Sequence, residues 1–168
     1  MVSTVGLLLF AASCDRGEPC KSAVAGDALE CPVAGEVDRA FDLHIPPQWD
    51  GQSELPLLYA FHGGGGNREG AARVTCPDGQ LDHPDCLVAK ALAAGYAMAL
   101  PDGTGTRPLR NLRTWNGGGG IEELQCVSGA ACRSGVDDMA YLDKVHETIE
   151  ALLPVDATRV YATGLSNG

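Results

Sequence analysis

Basic residues are scarce in this chain. Twelve Lys and Arg stand against 22 Asp and Glu, a formal net charge of −10 over 168 residues. Nucleic-acid binding draws on a basic surface that releases counterions from phosphates, so that class of partner is excluded and a neutral or weakly charged ligand fits better. Long apolar runs are missing too: the stretch Val5–Ala12 is too short to cross a bilayer as a helix. The glycine runs end in no Gly-Lys-Ser or Gly-Lys-Thr, and Gly63–Gly66 has no dinucleotide-type spacing, which argues against a nucleotide site. His83, between Cys76 and Cys86, matches no zinc-ligand spacing and reads as part of a surface loop closed by a disulfide. No metal or cofactor is expected. What is present, 45% apolar and 20% charged residues, is ordinary for a globular domain and gives no argument for pervasive disorder.

Val5–Ala12 sits where the apolar core of a secretory signal would lie, ahead of a polar, cysteine-bearing segment, although no Lys or Arg precedes it. The alternative is a buried first strand or helix. Ala11-Ala12-Ser13-Cys14 resembles a bacterial lipobox, with Ala11 where a larger aliphatic residue is usual, and implies lipid attachment at Cys14 and a membrane anchor. Setting Cys14 aside leaves six cysteines in three sequence-local pairs: Cys20 with Cys31, Cys76 with Cys86, and Cys126 with Cys132. If the chain is exported, these are the expected disulfides, chosen for locality among many connectivities. The expected location is secreted or lipid-anchored in a bacterial envelope.

Asp15–Glu36 shows neither a helical nor a strand period and reads as a tether and lead-in loop. Phe41, Leu43 and Ile45 alternate with Asp42 and His44, a half-buried strand stopped by Pro46-Pro47, with His44 on the polar, solvent-facing side. Leu55–Phe61 and Tyr96–Leu100 are short and almost wholly apolar, as central parallel strands covered on both faces would be. Helical spacing runs from Cys86 to Ala94, closed by Gly95. It returns from Val136 to Leu153, where Met139, Leu142, Val145, Ile149, Leu152 and Leu153 form one stripe behind Asp137 and Asp138. Gly103–Gly135, holding Trp115 and the glycine run Gly117–Gly120, has no period. Pro154 stops the helix ahead of a last strand, Arg159–Thr163. Strands alternating with helices predict βαβ units and a parallel sheet.

The chain closes on Gly164-Leu165-Ser166-Asn167-Gly168, a Gly-x-Ser-x-Gly directly after a strand. That pattern belongs to a tight strand-to-helix turn that lifts a serine hydroxyl out of the sheet, with glycines where neighbouring backbone leaves no room for side chains. Ser166 is therefore the candidate nucleophile. The second motif, His62-Gly63-Gly64-Gly65-Gly66, follows the strand Leu55–Phe61. A tetrahedral acyl-transfer intermediate carries an oxyanion, and preorganised backbone N–H groups stabilise it, each by roughly 3 kcal/mol of barrier. Glycines let backbone approach that closely, so Gly63 and Gly64, with the N–H of Asn167, are the candidate oxyanion donors. His62 is expected to shape this loop or border a substrate cleft, and not to act as base. His146 borders the stripe of the last helix and reads as structural.

Leu57–Asn67, Pro101-Asp102-Gly103-Thr104, Thr114-Trp115-Asn116, Val136-Asp137-Asp138 and Asp156–Gly168 together resemble, in order, the secreted polyhydroxybutyrate depolymerase-like esterases, a group that includes feruloyl and acetylxylan esterases. The resemblance spans Val37–Gly168. It implies an α/β-hydrolase fold, a mostly parallel sheet with flanking helices, and a carboxylic ester hydrolase acting outside the cell on polyester or on esters of plant polysaccharide. By position it implies Ser166 as nucleophile, donors from the His62 loop, and Trp115 in a loop bordering the substrate cleft. The catalytic acid and histidine of that fold come after the serine, and no residue follows Gly168 here, so the expectation is an inactive fragment cut after the nucleophile elbow. Its parts would be an export segment over 1–14, a tether and lead-in over 15–36, and the N-terminal part of a catalytic domain over 37–168. Two competing readings use the same residues. One is a non-enzymatic envelope lipoprotein that binds polymer or carbohydrate through the glycine-rich and Trp115 loops, and the other is a serine peptidase on the same fold.

Overall fold

The computed structural model describes residues 20–105, 111–117 and 129–168, so the export segment, Cys14 and Cys126 lie outside the described residues. Strands β1 (Ala28–Pro32), β2 (Ala40–His44) and β3 (Leu55–Phe61) come first, then helices α1 (Arg68–Val74) and α2 (Leu87–Ala93). Strands β4 (Ala97–Pro101), β5 (Thr104–Gly105) and β6 (Arg113–Thr114), helices α3 (Ala130–Ser134) and α4 (Asp138–Leu152), and strand β7 (Val155–Gly164) complete the order.

The apolar runs of β3 and β4 need cover on both faces, and they lie inside a five-stranded sheet ordered β1-β2-β4-β3-β7. They pair in parallel with Leu58 opposite Met98, and β7 adds in parallel to the other side of β3. In contrast, β2 is antiparallel to β4 and β1 antiparallel to β2. The sheet is thus mixed, parallel in two pairings and antiparallel in two, where a mostly parallel one was expected. Helical crossovers produce parallel neighbours, whereas β1 and β2 are joined by a short helix-free loop and meet antiparallel.

Alternate side chains take opposite faces. Leu57, Tyr59, Ala97 and Ala99 join Phe41, Leu43, Tyr141, Val145 and Ile149 in one core under α4, while Ala60, Met98 and Leu100 join Ala71, Ala72, Val88 and Ala91 in a second under α1 and α2. Helices therefore cover both sides of a mixed α/β fold.

Local chemistry sets the helix ends. Asn67 accepts from the Gly70 N–H at 2.8 Å to start α1, and Asp137 from the Ala140 N–H at 2.9 Å to start α4. Val145, Ile149 and Leu153 of the expected stripe are buried and Leu142 and Leu152 pack against the same core, but Tyr141 joins the buried face and Met139, 68% exposed, does not. Tyr141 explains the difference: its ring centroid lies 3.8 Å from the Arg39 guanidinium carbon, and its hydroxyl donates to the Ala40 carbonyl at 3.0 Å. The expected lead-in loop likewise holds β1, an edge strand that buries only Cys31 and leaves Ala28 and Glu30 exposed. One buried side chain in five makes too faint a pattern to read.

Cys20–Cys31 and Cys76–Cys86 are disulfides, two of the three local pairs expected. Cys132 is disulfide-bonded as well, and its expected partner Cys126 lies outside the described residues. These bonds suit an oxidising, extracellular compartment. Among the described residues no helix is long and apolar enough to cross a membrane.

In β7, Val155 pairs with Leu55 but Val160 with Leu57, so Asp156–Arg159 bulge outward. The Asp156 carboxylate accepts from the Thr158 hydroxyl at 2.6 Å and the Thr158 N–H at 2.9 Å and pairs with Arg159, bonds that hold its pKa at about 2. Beyond the bulge β7 is exposed and, among the described residues, paired only with β3.

Candidate active site

Because β3 and β7 are parallel, their C-terminal ends, Phe61 and Gly164, open on the same edge of the sheet, and both glycine motifs begin there. Ser166 sits at φ 56, the single non-glycine residue at positive φ among those described. An L-residue in that region carries about 1–2 kcal/mol of steric cost. Its flanking glycines are forced by contact. A Cβ on Gly164 would stand 2.5 Å from the Gly168 carbonyl carbon, and one on Gly168 would stand 2.6 Å from the carbonyl oxygens of both Phe61 and His62. These neighbours are backbone, with no flexible side chain to yield. The Gly168 N–H donates to Leu165 O at 2.9 Å and the Leu165 N–H to Phe61 O at 3.3 Å, which closes the turn against the end of β3. Ser166 is left exposed, and no described residue hydrogen-bonds its hydroxyl.

The glycine loop lies alongside. A Cβ on Gly63 would be 3.2 Å from Leu165 O and 3.5 Å from Ser166 Cβ, and one on Gly64 would be 3.5 Å from Asn167 Cβ. Gly66 N–H donates back to Gly63 O at 2.9 Å. Two further backbone bonds tie the loop to Arg113: Gly65 N–H to Arg113 O at 2.8 Å and Arg113 N–H to Gly66 O at 3.0 Å.

His62 is buried at 2% exposure. The Gly103 N–H donates to its Nε2 at 2.9 Å, which leaves the proton on Nδ1 to donate to Gly63 O at 2.8 Å. Burial pushes the imidazole below the ordinary histidine range. Neutral and engaged at both nitrogens, it has no atom free to serve Ser166 as base. Trp115, 5% exposed, donates its indole N–H to His62 O at 3.0 Å and sets its ring edge-on to Phe61 at 5.3 Å. Both rings are internal and support the loops, presenting almost no surface to a cleft.

A buried ion network anchors the same loops. Asp102, 1% exposed, accepts from the Arg68 N–H at 2.9 Å and pairs with the Arg68 guanidinium at 2.6 Å and with Arg113 at 3.4 Å. Arg68 also pairs with Asp42 at 2.8 Å and with Glu30. Burial opposes the charge on Arg68, but Asp102, Asp42 and Glu30 outweigh it and push its pKa further up. Arg113 donates to Gly103 O at 3.0 Å, next to the amide that holds His62.

The structure thus gathers Ser166, Asn167, Gly63, Gly64, His62 and Trp115 in one place. His44, His83 and His146 lie elsewhere. His44 is half-buried between β1 and β4, with its pKa lowered by desolvation, and is not the solvent-facing residue expected, because β2 is an inner strand. His83 is in the loop closed by Cys76–Cys86, and His146 Nδ1 lies 2.9 Å from the Tyr59 hydroxyl. Among the described residues no group of three metal-ligating side chains gathers. In the sequence Asp102 stood only within the segment Pro101–Thr104, with no role of its own, and Arg113 was not singled out. The available signal was a carboxylate at the end of a fully buried strand, which must find a cation.

No protein-family model matches the chain, and a search of curated proteins returns no match.

Proposed function

We propose that this site performs acyl transfer from carboxylic esters, with Ser166 as nucleophile and Gly63 or Gly64 with Asn167 as oxyanion donors, on a fold of the α/β-hydrolase kind. The observation that carries the reading is a serine at φ 56 between two glycines that admit no Cβ, its hydroxyl exposed beside the glycine loop. A turn that only reverses the chain has no need to hold a serine there, and such strain gathers at working sites. Two parallel strands, one ending in the loop and one in the elbow, supply the arrangement that this chemistry uses.

In the reaction Ser166 Oγ bonds to the ester carbonyl carbon and its proton passes to a base, while the carbonyl oxygen takes up negative charge facing the backbone N–H groups. Collapse breaks the carbon–oxygen bond to the alcohol, which leaves with the proton, and water then clears the acyl-serine. None of the chain's four histidines hydrogen-bonds Ser166, so free imidazole is supplied as the base in the test below. The net charge of −10 and the disulfides favour a neutral ester met outside the cell, such as a polyester or an acyl group on polysaccharide.

The test is the intact mass of the chain after incubation with p-nitrophenyl acetate and free imidazole. Acetylation at Ser166 is expected, absent in Ser166→Ala. Acetyl groups confined to lysines, at equal rates in both proteins, would overturn the reading.

A further inference from the structure

We propose that Trp115 and the Asn167 carboxamide are positioning residues, a brace that fixes the glycine loop and the elbow at one separation; the proposal rests on the acyl-transfer reading above. The donors come from segments far apart in the chain, and no backbone hydrogen bond joins Gly63 or Gly64 to Asn167. Productive geometry tolerates only about 0.5 Å of error, so something else must register one segment on the other.

The stretch 113–116 does so. Arg113 holds the glycine loop through its two backbone bonds to Gly65 and Gly66. Trp115 N–H donates to Asn167 Oδ1 at 2.7 Å, and Trp115 O accepts from Asn167 Nδ2 at 3.1 Å, so one carboxamide pairs with both polar groups of a single residue's backbone. The Trp115 indole N–H binds the carbonyl of His62, the residue directly ahead of Gly63. Asn116 N–H donates to Asp138 Oδ2 at 2.6 Å and its side chain to Val136 O at 2.8 Å, while Asp138 is itself held by Arg39 at 2.6 Å. Both donor-bearing segments are therefore tied to Trp115, and the stretch that carries it is tied to the N-terminus of α4.

The turn at Ser166 closes through Gly164, Leu165 and Gly168 without the Asn167 side chain. Truncating that side chain frees the Trp115 backbone and lets the Asn167 N–H shift against the glycine loop. The loss should fall on stabilisation of the oxyanion, and a ratio of rates isolates it. Donors fixed for oxygen favour an oxo ester over its thiono analogue, whose sulfur is larger and accepts hydrogen bonds poorly. Because both esters read the same folded population, their ratio is unaffected by partial unfolding.

The experiment follows p-nitrophenolate release with imidazole present and the Ser166→Ala rate subtracted, for p-nitrophenyl acetate and its thiono analogue. It compares the wild-type chain with Asn167→Ala, Asn167→Asp and Trp115→Phe. The wild-type oxo-to-thiono ratio is expected to lie well above that of imidazole alone. Asn167→Ala should slow the oxo ester by about tenfold and bring the ratio toward that of imidazole. Asn167→Asp, which keeps the acceptor and loses the donor, should fall between, and Trp115→Phe, which keeps a ring without the N–H, should shift the ratio the same way. A wild-type ratio equal to that of imidazole, or a high ratio unchanged in Asn167→Ala, overturns the brace. No Ser166-dependent release from the wild-type chain overturns the acyl-transfer reading itself, so the two failures are distinct.

Discussion

Ser166→Gly is expected to stabilise the chain while deleting the proposed nucleophile. At φ 56 the serine carries about 1–2 kcal/mol of steric cost that glycine does not. Glycine in turn loses more freedom on folding, about 0.5–1 kcal/mol. The hydroxyl adds nothing to either side, being exposed and bonded to no described residue. The difference is a gain of about 0.5–1 kcal/mol, or a rise in Tm of roughly 1–4 °C for a chain of this size. Ser166→Ala keeps the strain and loses the same hydroxyl, so it should stay within about 0.5 kcal/mol of wild type. Urea unfolding and thermal melts of the three proteins, with disulfides intact, read the ordering. If Ser166→Gly proves less stable than Ser166→Ala, the turn stores no strain at this residue, and the reason for calling it a nucleophile position goes with it.

Gly168→Ala should cost about 3 kcal/mol or more, since its Cβ would meet two backbone carbonyl oxygens at 2.6 Å, whereas Gly65→Ala, at φ +81 with open space around it, should cost only about 1–2; equal losses in urea midpoints would contradict the contact. Asp102→Asn removes the carboxylate between Arg68 and Arg113 and should destabilise by about 3 kcal/mol, a loss under about 1 showing that the guanidiniums find other partners. Stability should also fall on acidification. Burial lowers the His62 and His44 pKa values, so the unfolded chain takes up protons first; their contribution is complete above the unfolded value of 6.5 and drains as pH falls through the folded one. His62→Gln should flatten that slope below about pH 7, and an unchanged slope would assign it to other groups.

The fold was legible where burial forces a period. β3 was read to its exact ends because a fully covered strand is apolar throughout, and α2 because Val88 and Ala91 are one turn apart with Gly95 behind them. Legibility failed where a residue's inward face depends on a distant partner. Tyr141 turns inward to meet Arg39 and Ala40, about a hundred positions earlier, which no local window reports. Strand β1 was missed because an edge strand buries so little, and α1 because its seven residues begin with a charge and bury only Ala71 and Ala72. At the site the motifs announced the groups that face outward, Ser166 and the glycines. What holds them is a web of side chain to backbone bonds through Asn167, Trp115 and His62, and such bonds leave no spacing rule in a sequence.

The elbow leans on β3 more than on the strand that bears it. Gly168 presses on the carbonyls of Phe61 and His62, and Leu165 donates to Phe61, so the end of one strand carries the glycine loop and also props up the serine. Strand β7, among the described residues, pairs only with β3. Twisting of the sheet, on the microsecond-to-millisecond scale of collective motion, would carry Ser166 and the glycine loop together. The serine and the glycine loop keep their register through that shared support, and not through a stiff sheet.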